Sequence, residues 1–431
     1  MFKAARRIVT ALVGLLVVGA GSNVRAQTTA DTLFDDRVLQ DVQLLVNSRD
    51  LRMVRERFAE NVFVPADLIW RGTRVRNVGI RSRGTGSRNA TKLGLQLEFG
   101  RYTKGQQFLG MDSLVLDNLW QDPSLLREAL AMSVFRRMGQ SAPREAFARL
   151  FINGEYQGLY ALVETITPAF AKAQTGSLDG FLYEFRYQAP FYTEYLGDAL
   201  APYKKMFEAR SHLLDADSTL YGPIRDLFLE SNQPDDAVWR ERVDARLDLA
   251  QFMTHVAIEG FIAENDGILG YSGINNFYLY RPSTSGRHRL FAWDEDFAFT
   301  FIGSSVLRRG EQPVLLFERA WGQTDLRELF LSTVEDCVKR ATDEGWLAAE
   351  VERMAAVVTP AALADMKKQY SNDDFLAGLS FLRAFAAERP AIVTDEIASL
   401  RAPASPPPPP TPEPPLPPEP PAAAHRAATR R

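Results

Sequence analysis

Residues 264–299 read ENDGILGYSGINNFYLYRPSTSGRHRLFAWDEDFAF, and this order of residue types governs the reading of the whole chain. An apolar run with helical spacing, 252–262, leads into Asp266. A turn rich in glycine follows, through Gly267, Gly270 and Gly273, and then an asparagine pair, Asn275 and Asn276. FYLYR and HRLFAW read as two strands, because aromatic residues and leucine flank a Pro-Ser-Thr-Ser-Gly turn. The second strand delivers Asp294, Glu295 and Asp296. One hairpin thus separates a loop acid and two amides from an acidic cluster.

Phosphoryl transfer needs a carboxylate beside the attacking hydroxyl and oxygen ligands that hold Mg²⁺ on the phosphates. Protein kinases supply these in the order loop Asp, Asn, hairpin, metal-binding Asp. Asp266, Asn275 or Asn276, and Asp294 stand in that order here. The interval from Asp266 to the asparagines is longer than in the kinase signature, and neither HRD nor DFG occurs.

The chain has 431 residues, of which 46% are hydrophobic and 24% charged, which is globular composition. A net charge of −4 gives no overall basic field for nucleic acid. The single cysteine, Cys337, excludes an internal disulfide and a cysteine-based zinc site. The four histidines, His212, His255, His288 and His425, show no HExxH or HxxxH spacing. A histidine metal site is therefore not expected, and oxygen ligands point to Mg²⁺, Mn²⁺ or Ca²⁺.

Residues 1–26 read as a signal peptide, with Lys3, Arg6 and Arg7 before an apolar run at 8–20 and Val24-Arg25-Ala26 as cleavage site. No later stretch is long and apolar enough for a membrane span after that cleavage. Residues 402–431 read as a proline-rich, disordered tail with a short basic tip at Arg426, Arg430 and Arg431.

Between these ends, a strand is expected within 38–47 and a helix over 48–58 with Ser48 as its cap. Short strands are expected at 62–64, 67–70 and 75–80. The segment 78–99, VGIRSRGTGSRNATKLGLQLEF, places Arg81 and Arg83 two apart on a strand, hence on one face. The flexible turn Gly84-Thr85-Gly86-Ser87 suits close approach of backbone N–H groups to phosphate. No P-loop or GxGxxG fingerprint is present. Asp122 and Ser124 are expected to cap a helix running to Gly139, and Asn153-Gly154 marks a hairpin. Residues 325–400 read as helical.

Taken together, four stretches resemble the spore-coat CotH kinase family: RNVGIRSRGTGS (76–87), LDNLWQDPSLLREALA (116–131), APREAFARLFINGEYQGLYALVE (142–164), and NNFYLY with LFAWDEDFAF (275–280 and 290–299). The resemblance spans residues 33 to 400 or so. It implies an α+β, atypical protein-kinase-like, two-lobed fold with a mixed or antiparallel N-terminal sheet and a helical C-terminal part. The kinase domain would cover 27–401, with lobes of about 33–165 and 166–401. It also implies a secreted or surface protein using ATP with Mg²⁺ or Mn²⁺ to phosphorylate Ser or Thr of an envelope protein. Oligomeric state is not implied.

Residue by residue, the resemblance makes Asp266 the acid near the acceptor hydroxyl and Asp294 the metal-binding aspartate. Asn275 or Asn276 would be a second metal ligand, and Asp296 a ligand or an orienting group. Arg83 and Lys92, with Arg81 beside them, would face the nucleotide phosphates. Glu128 would pair with a phosphate-binding Lys or Arg. Glu164 would lie near the adenine, and Tyr160 or Trp293 would stack on it. Two residues depart from the family pattern: Thr91 precedes Lys92 where a lysine pair is usual, and Glu295 stands where leucine is usual. Two other readings compete. One is a non-catalytic surface or coat-assembly protein with a kinase-like shell. The other is a glycosyltransferase using the DxD of Asp294-Glu295-Asp296 to hold a metal and a nucleotide sugar.

Overall fold

The computed structural model describes residues 29–176, 179–307, 310 and 312–402. The expected signal peptide and, from residue 403 onward, the proline-rich tail lie outside the described residues. Seven strands form a closed barrel: β1 (Gln40–Val46), β2 (Val64–Trp70), β3 (Thr73–Ser82), β4 (Leu95–Glu98), β5 (Ser113–Asp117), β6 (Glu145–Ile152) and β7 (Glu155–Val163). Spatial order is β1-β2-β3-β4-β5-β7-β6. Val42 pairs antiparallel with Trp70 of β2 and parallel with Leu150 of β6, which closes the ring. The other neighbouring pairs are antiparallel, so the expected mixed sheet is mixed through one parallel contact.

Alternation builds the barrel core. Val42, Leu44 and Val46 of β1 point inward, with Leu68, Ile80, Leu95, Leu97, Leu116 and Leu150 from neighbouring strands. The β6–β7 turn takes positive φ at Asn153 (52°) and Gly154 (82°), the mirror-image turn that Asn-Gly favours. Asn153 also accepts from the Val46 amide at 2.8 Å, tying the turn to β1.

A second, four-stranded antiparallel sheet comprises β8 (Phe181–Phe185), β9 (Phe207–Ala209), β10 (Phe277–Arg281) and β11 (Arg289–Ala292), in the order β11-β10-β8-β9. Twelve helices are described: α1 (Ala30–Leu33), α2 (Ser48–Glu56), α3 (Arg127–Arg137), α4 (Pro168–Thr175), α5 (Ala201–Met206), α6 (Asp217–Ser231), α7 (Asp236–Asp244), α8 (Leu249–Ile262), α9 (Leu315–Gly322), α10 (Thr324–Thr342), α11 (Trp346–Ala364) and α12 (Asn372–Arg401). The class is α+β, as expected. No described helix is long and apolar enough to cross a membrane.

Local details refine the expectations. Asn47, rather than Ser48, caps α2, accepting from the Arg49 amide. Asp122 serves the start of α3 from a distance: its carboxylate accepts from the amides of Ser124, Leu126 and Arg127 at 2.7–2.8 Å. Helix α8 is apolar almost all round and runs through the large helical core. Its C-terminal carbonyls are capped from afar by the buried Arg389 of α12. This guanidinium donates to Phe261 O at 3.0 Å and Gly260 O at 2.6 Å, and to the carbonyls of Ile302 and Ser304. A cation there complements the helix dipole.

Lys92 joins the two halves. Its side chain is fully buried; Nζ pairs with Asp365 Oδ2 at 2.7 Å and donates to Leu159 O at 2.7 Å. Asp365 follows α11 and accepts from the Leu159 amide at 3.0 Å. Gly158 has φ 122°, and any Cβ there would collide with the Asp365 carboxylate. Removing one partner of a buried pair leaves an uncompensated charge. Lys92→Met should therefore destabilise the fold by about 3–5 kcal/mol in urea unfolding. The double variant Lys92→Met/Asp365→Asn, which removes both charges and keeps an acceptor, should recover part of that loss.

Candidate functional site

The β10–β11 hairpin positions the acids. Phe277 pairs with Ala292 at its open end. The chain therefore brings Asn276 and Asn275 on one side level with Trp293 and Asp294 on the other. Asn276 and Asp294 both adopt φ of 60°, a left-handed conformation that Asn and Asp tolerate best among non-glycine residues. Asp266 arrives from the C-terminal end of α8, after Ala263 turns the chain with φ 55°. Its Oδ2 accepts from Asn275 Nδ2 at 3.0 Å and Asn276 Nδ2 at 3.1 Å. The asparagine pair thus orients Asp266 and leaves each amide oxygen for another partner.

These groups line one cleft of about 1790 Å³ between the barrel and the second sheet. Arg81, Arg83 and the Gly84–Ser87 loop form its barrel wall; Asp266, Asn275, Asn276, Trp293, Asp294 and Asp296 form the facing wall. Arg83 donates to Asp117 Oδ2 at 2.8 Å, and its guanidinium lies 5.8 Å from the Trp293 ring centre. Burial opposes its charge, but Asp117, Asp294, Glu128 and Glu184 together hold its pKa above the ordinary arginine value. Arg81 donates to Ser82 O and Asn61 Oδ1.

The carboxylates crowd one another. Burial, then Asp117, Asp266 and Glu184, push Asp294 up to about 6, against the opposing pull of Arg83. Burial, then Asp294 and Glu264, raise Asp296 well above the usual range. Burial also raises Asp266, and the two asparagine hydrogen bonds work against that. Such a set of hard oxygen donors, short of positive charge, fits a divalent cation.

Three residues expected at the nucleotide stand elsewhere, and the fourth, Glu128, acts on Arg83 through its charge without an ion pair. Lys92 is sealed against Asp365, so it does not face the cleft. Tyr160 is 1% exposed inside the barrel, its ring 5.1 Å from Lys92 Nζ, and has no face free for a base. Glu164 points to the other side of its segment, where Arg144 grips it through Nε at 2.9 Å and Nη2 at 2.6 Å. Thr165, Ile166 and Thr167 line the cleft in its place. Glu128 is buried behind the cleft near Glu145, Asp294 and Asp117, while Arg83 takes Asp117 as its ion-pair partner. The resemblance gave these residues their roles; the partners that hold Lys92 and Glu164, Asp365 and Arg144, are set by tertiary packing.

Other cleft residues escaped the sequence reading. Asp117 ends β5, and Glu184 on β8 pairs with Arg186 at 2.9 Å and with Arg210. Lys204, Lys205 and Trp120 also line the walls. The signal for Glu184 was its place in FLYEFR, an acid within an otherwise apolar strand.

Glu145 yields a pH test. Burial, partly offset by Arg136, lifts its carboxyl from 4.5 to about 8 in the folded protein. A raised folded-state pKa gives stability that is complete below the unfolded value and lost as pH rises through the folded one. The melting temperature should therefore fall between pH 5 and 8, and Glu145→Gln should flatten that slope.

The comparisons with known proteins follow this geometry. The family model described as "CotH kinase protein" matches residues 80–393, well over half of the chain. The curated "Inner spore coat protein H" of Bacillus subtilis (strain 168) is 23% identical over 254 residues, covering 59% of this chain and 67% of that protein. Two solved structures are similar at 10% identity. One is the Helicobacter pylori proinflammatory kinase CtkA, with a TM-score of 0.32, covering 71% of this chain and 94% of that chain. The other is the Shewanella oneidensis MR-1 toxin–antitoxin system HipA and HipB with operator DNA, with a TM-score of 0.35, covering 84% and 75%. On the match over 80–393, the chain belongs to the CotH kinase protein family.

Proposed function

We propose that the protein is a metal-dependent kinase acting outside the cytoplasm, moving the terminal phosphoryl group of ATP to Ser or Thr of an envelope or surface protein. The observation that carries this reading is the convergence of Asp266 with Asp294 and Asp296 on one cleft wall, opposite Arg83 and the Gly84–Ser87 loop. Asp294 and Asp296, with an amide oxygen of Asn275 or Asn276, would hold Mg²⁺ or Mn²⁺. A cation so held supplies charge neutralisation at the phosphates.

The chain's own groups divide the remaining work. Asp266, held by two amides, takes the proton of the acceptor hydroxyl, and its burial brings it closer to a useful base strength. Arg83 and the backbone of the Gly84–Ser87 loop contact phosphate oxygens. Gly84 has φ 102°, and a Cβ there would run into Ser87 Oγ, so the loop needs glycine to fold over its own hydroxyl. Trp293, half-buried edge-on to Tyr278 at 5.4 Å, offers its other surface to the cleft.

A second reading draws on one observation. Lys92, the lysine that the family resemblance put at the phosphates, is locked in the buried pair with Asp365. That favours a non-catalytic surface protein that keeps the shell. The nucleotide-sugar reading finds no support in a barrel whose strand pairs are antiparallel except one, and no doubly wound sheet is present among the described residues.

Thermal-shift titration with ATP decides between the first two. A kinase should show a melting-temperature rise that requires Mg²⁺ or Mn²⁺ and vanishes in Asp294→Asn. Asp266→Asn should keep that rise and lose transfer to a Ser/Thr acceptor by about 10²–10⁴-fold. No shift at millimolar nucleotide would transfer support to the non-catalytic reading.

A further inference from the structure

We propose that His255, Glu259 and Glu295 form a second divalent-cation site, buried behind the cleft and separate from Asp294 and Asp296. His255 and Glu259 lie four residues apart on α8, so both project from one face. His255 Nε2 and Glu259 Oε1 are 3.1 Å apart. Glu295 follows β11 between the two cleft aspartates, yet it does not line the cleft. The chain turns its side chain the opposite way, toward α8. One ring nitrogen of His255 and one carboxylate oxygen from each glutamate lie within 4.8 Å of one another.

The glutamate itself points to a ligand. Glu295 is 0% exposed, and neither of its oxygens has a hydrogen-bond partner among the described residues. His255 Nδ1 is likewise buried without one. A carboxyl group kept neutral would still carry an O–H that needs an acceptor, and an ionised one needs a cation. The cluster offers imidazole nitrogen with two carboxylates, a donor set suited to Zn²⁺, Mn²⁺ or Fe²⁺ more than to Mg²⁺ or Ca²⁺. Two ligands about 2.1 Å from a tetrahedral ion stand about 3.4 Å apart, close to the observed His255–Glu259 spacing.

The surroundings are built to orient these ligands. The second oxygen of Glu259 accepts from the Ile268 amide at 2.8 Å, which fixes the carboxylate. Gly267 passes so close that a Cβ would stand 2.6 Å from the Glu259 carboxyl carbon. The His255 ring packs 4.9 Å from that of Phe135. A cation here ties α8, which leads into Asp266, to the segment carrying Asp294. It would fix the spacing of Asp266 and Asp294 along their shared wall without touching a nucleotide.

The test uses the full chain, stripped with a chelator, equilibrated with Zn²⁺ or Mn²⁺ alone and dialysed, with bound metal counted by mass spectrometry. Asp294→Asn removes the cleft aspartate first. This variant should retain one equivalent of metal and a metal-dependent rise in melting temperature. Adding Glu295→Leu or His255→Gln should abolish both. Should Glu295→Leu fail to fold, Glu295→Gln keeps the volume and should weaken metal binding at least tenfold. Retention of the equivalent after loss of Glu295 would overturn the site. So would a metal-free Asp294→Asn protein, or a Glu295→Leu protein more stable than its parent in chelator and indifferent to metal. None of these readouts depends on phosphoryl transfer.

Discussion

Buried negative charge is the constraint on which this architecture depends. Asp117, Glu128, Glu145, Glu264, Asp294, Glu295 and Asp296 stand close enough that each acts on at least one other, and burial is the leading cause of the shift in every one that is displaced. In low dielectric, like charges at such range repel strongly, so the ionised forms need counter-charge. Among the described residues, Arg83 is the cleft arginine set beside Asp294, and that guanidinium is already engaged by Asp117. The fold thus holds these acids together through the backbone that carries them: α8 on one side, the β10–β11 hairpin on the other, and the barrel wall opposite.

That division explains what the sequence disclosed. The hairpin was legible because its register and turn are local, and its ends carry Asn276 and Asp294 to the same place whatever surrounds them. Arg81 and Arg83 were legible as a pair because a strand period of two needs no tertiary information. Lys92, Tyr160 and Glu164 were placed by the resemblance alone. Lys92 is sealed by Asp365, which follows α11; Tyr160 lies inside a barrel that closes only where β1 meets β6, about a hundred positions apart; Glu164 is taken by Arg144 across the β6–β7 hairpin. Asp117 and Glu184 were hidden for the same reason, each being one acid in an apolar strand until the other elements converge on it. The departure of Glu295 from the family pattern was visible, but the helix face that receives it was not.

The Asp266 loop illustrates how remote residues set local chemistry. It has little secondary structure of its own and is held at one end by a group far off in sequence and at the other by the helix that precedes it. Arg389 grips the last carbonyls of α8 immediately before it, and the Glu259 carboxylate takes the Ile268 amide immediately after it. The loop acid is therefore positioned by a helix from the end of the chain and by a side chain one helical turn upstream.

The two long-range clamps also impose an order on biosynthesis. The barrel strands and Lys92 leave the ribosome early, whereas Asp365 and Arg389 come near the end of the described chain. Until Asp365 emerges, Lys92 is an ammonium with no carboxylate to receive it, and the barrel cannot seal without burying a bare charge. Until Arg389 emerges, the C-terminal carbonyls of α8 lack their cap. Alignment of the cleft is thereby postponed to the completion of α12, and a chain cut short before that helix carries every cleft residue named above without the scaffold that aligns them.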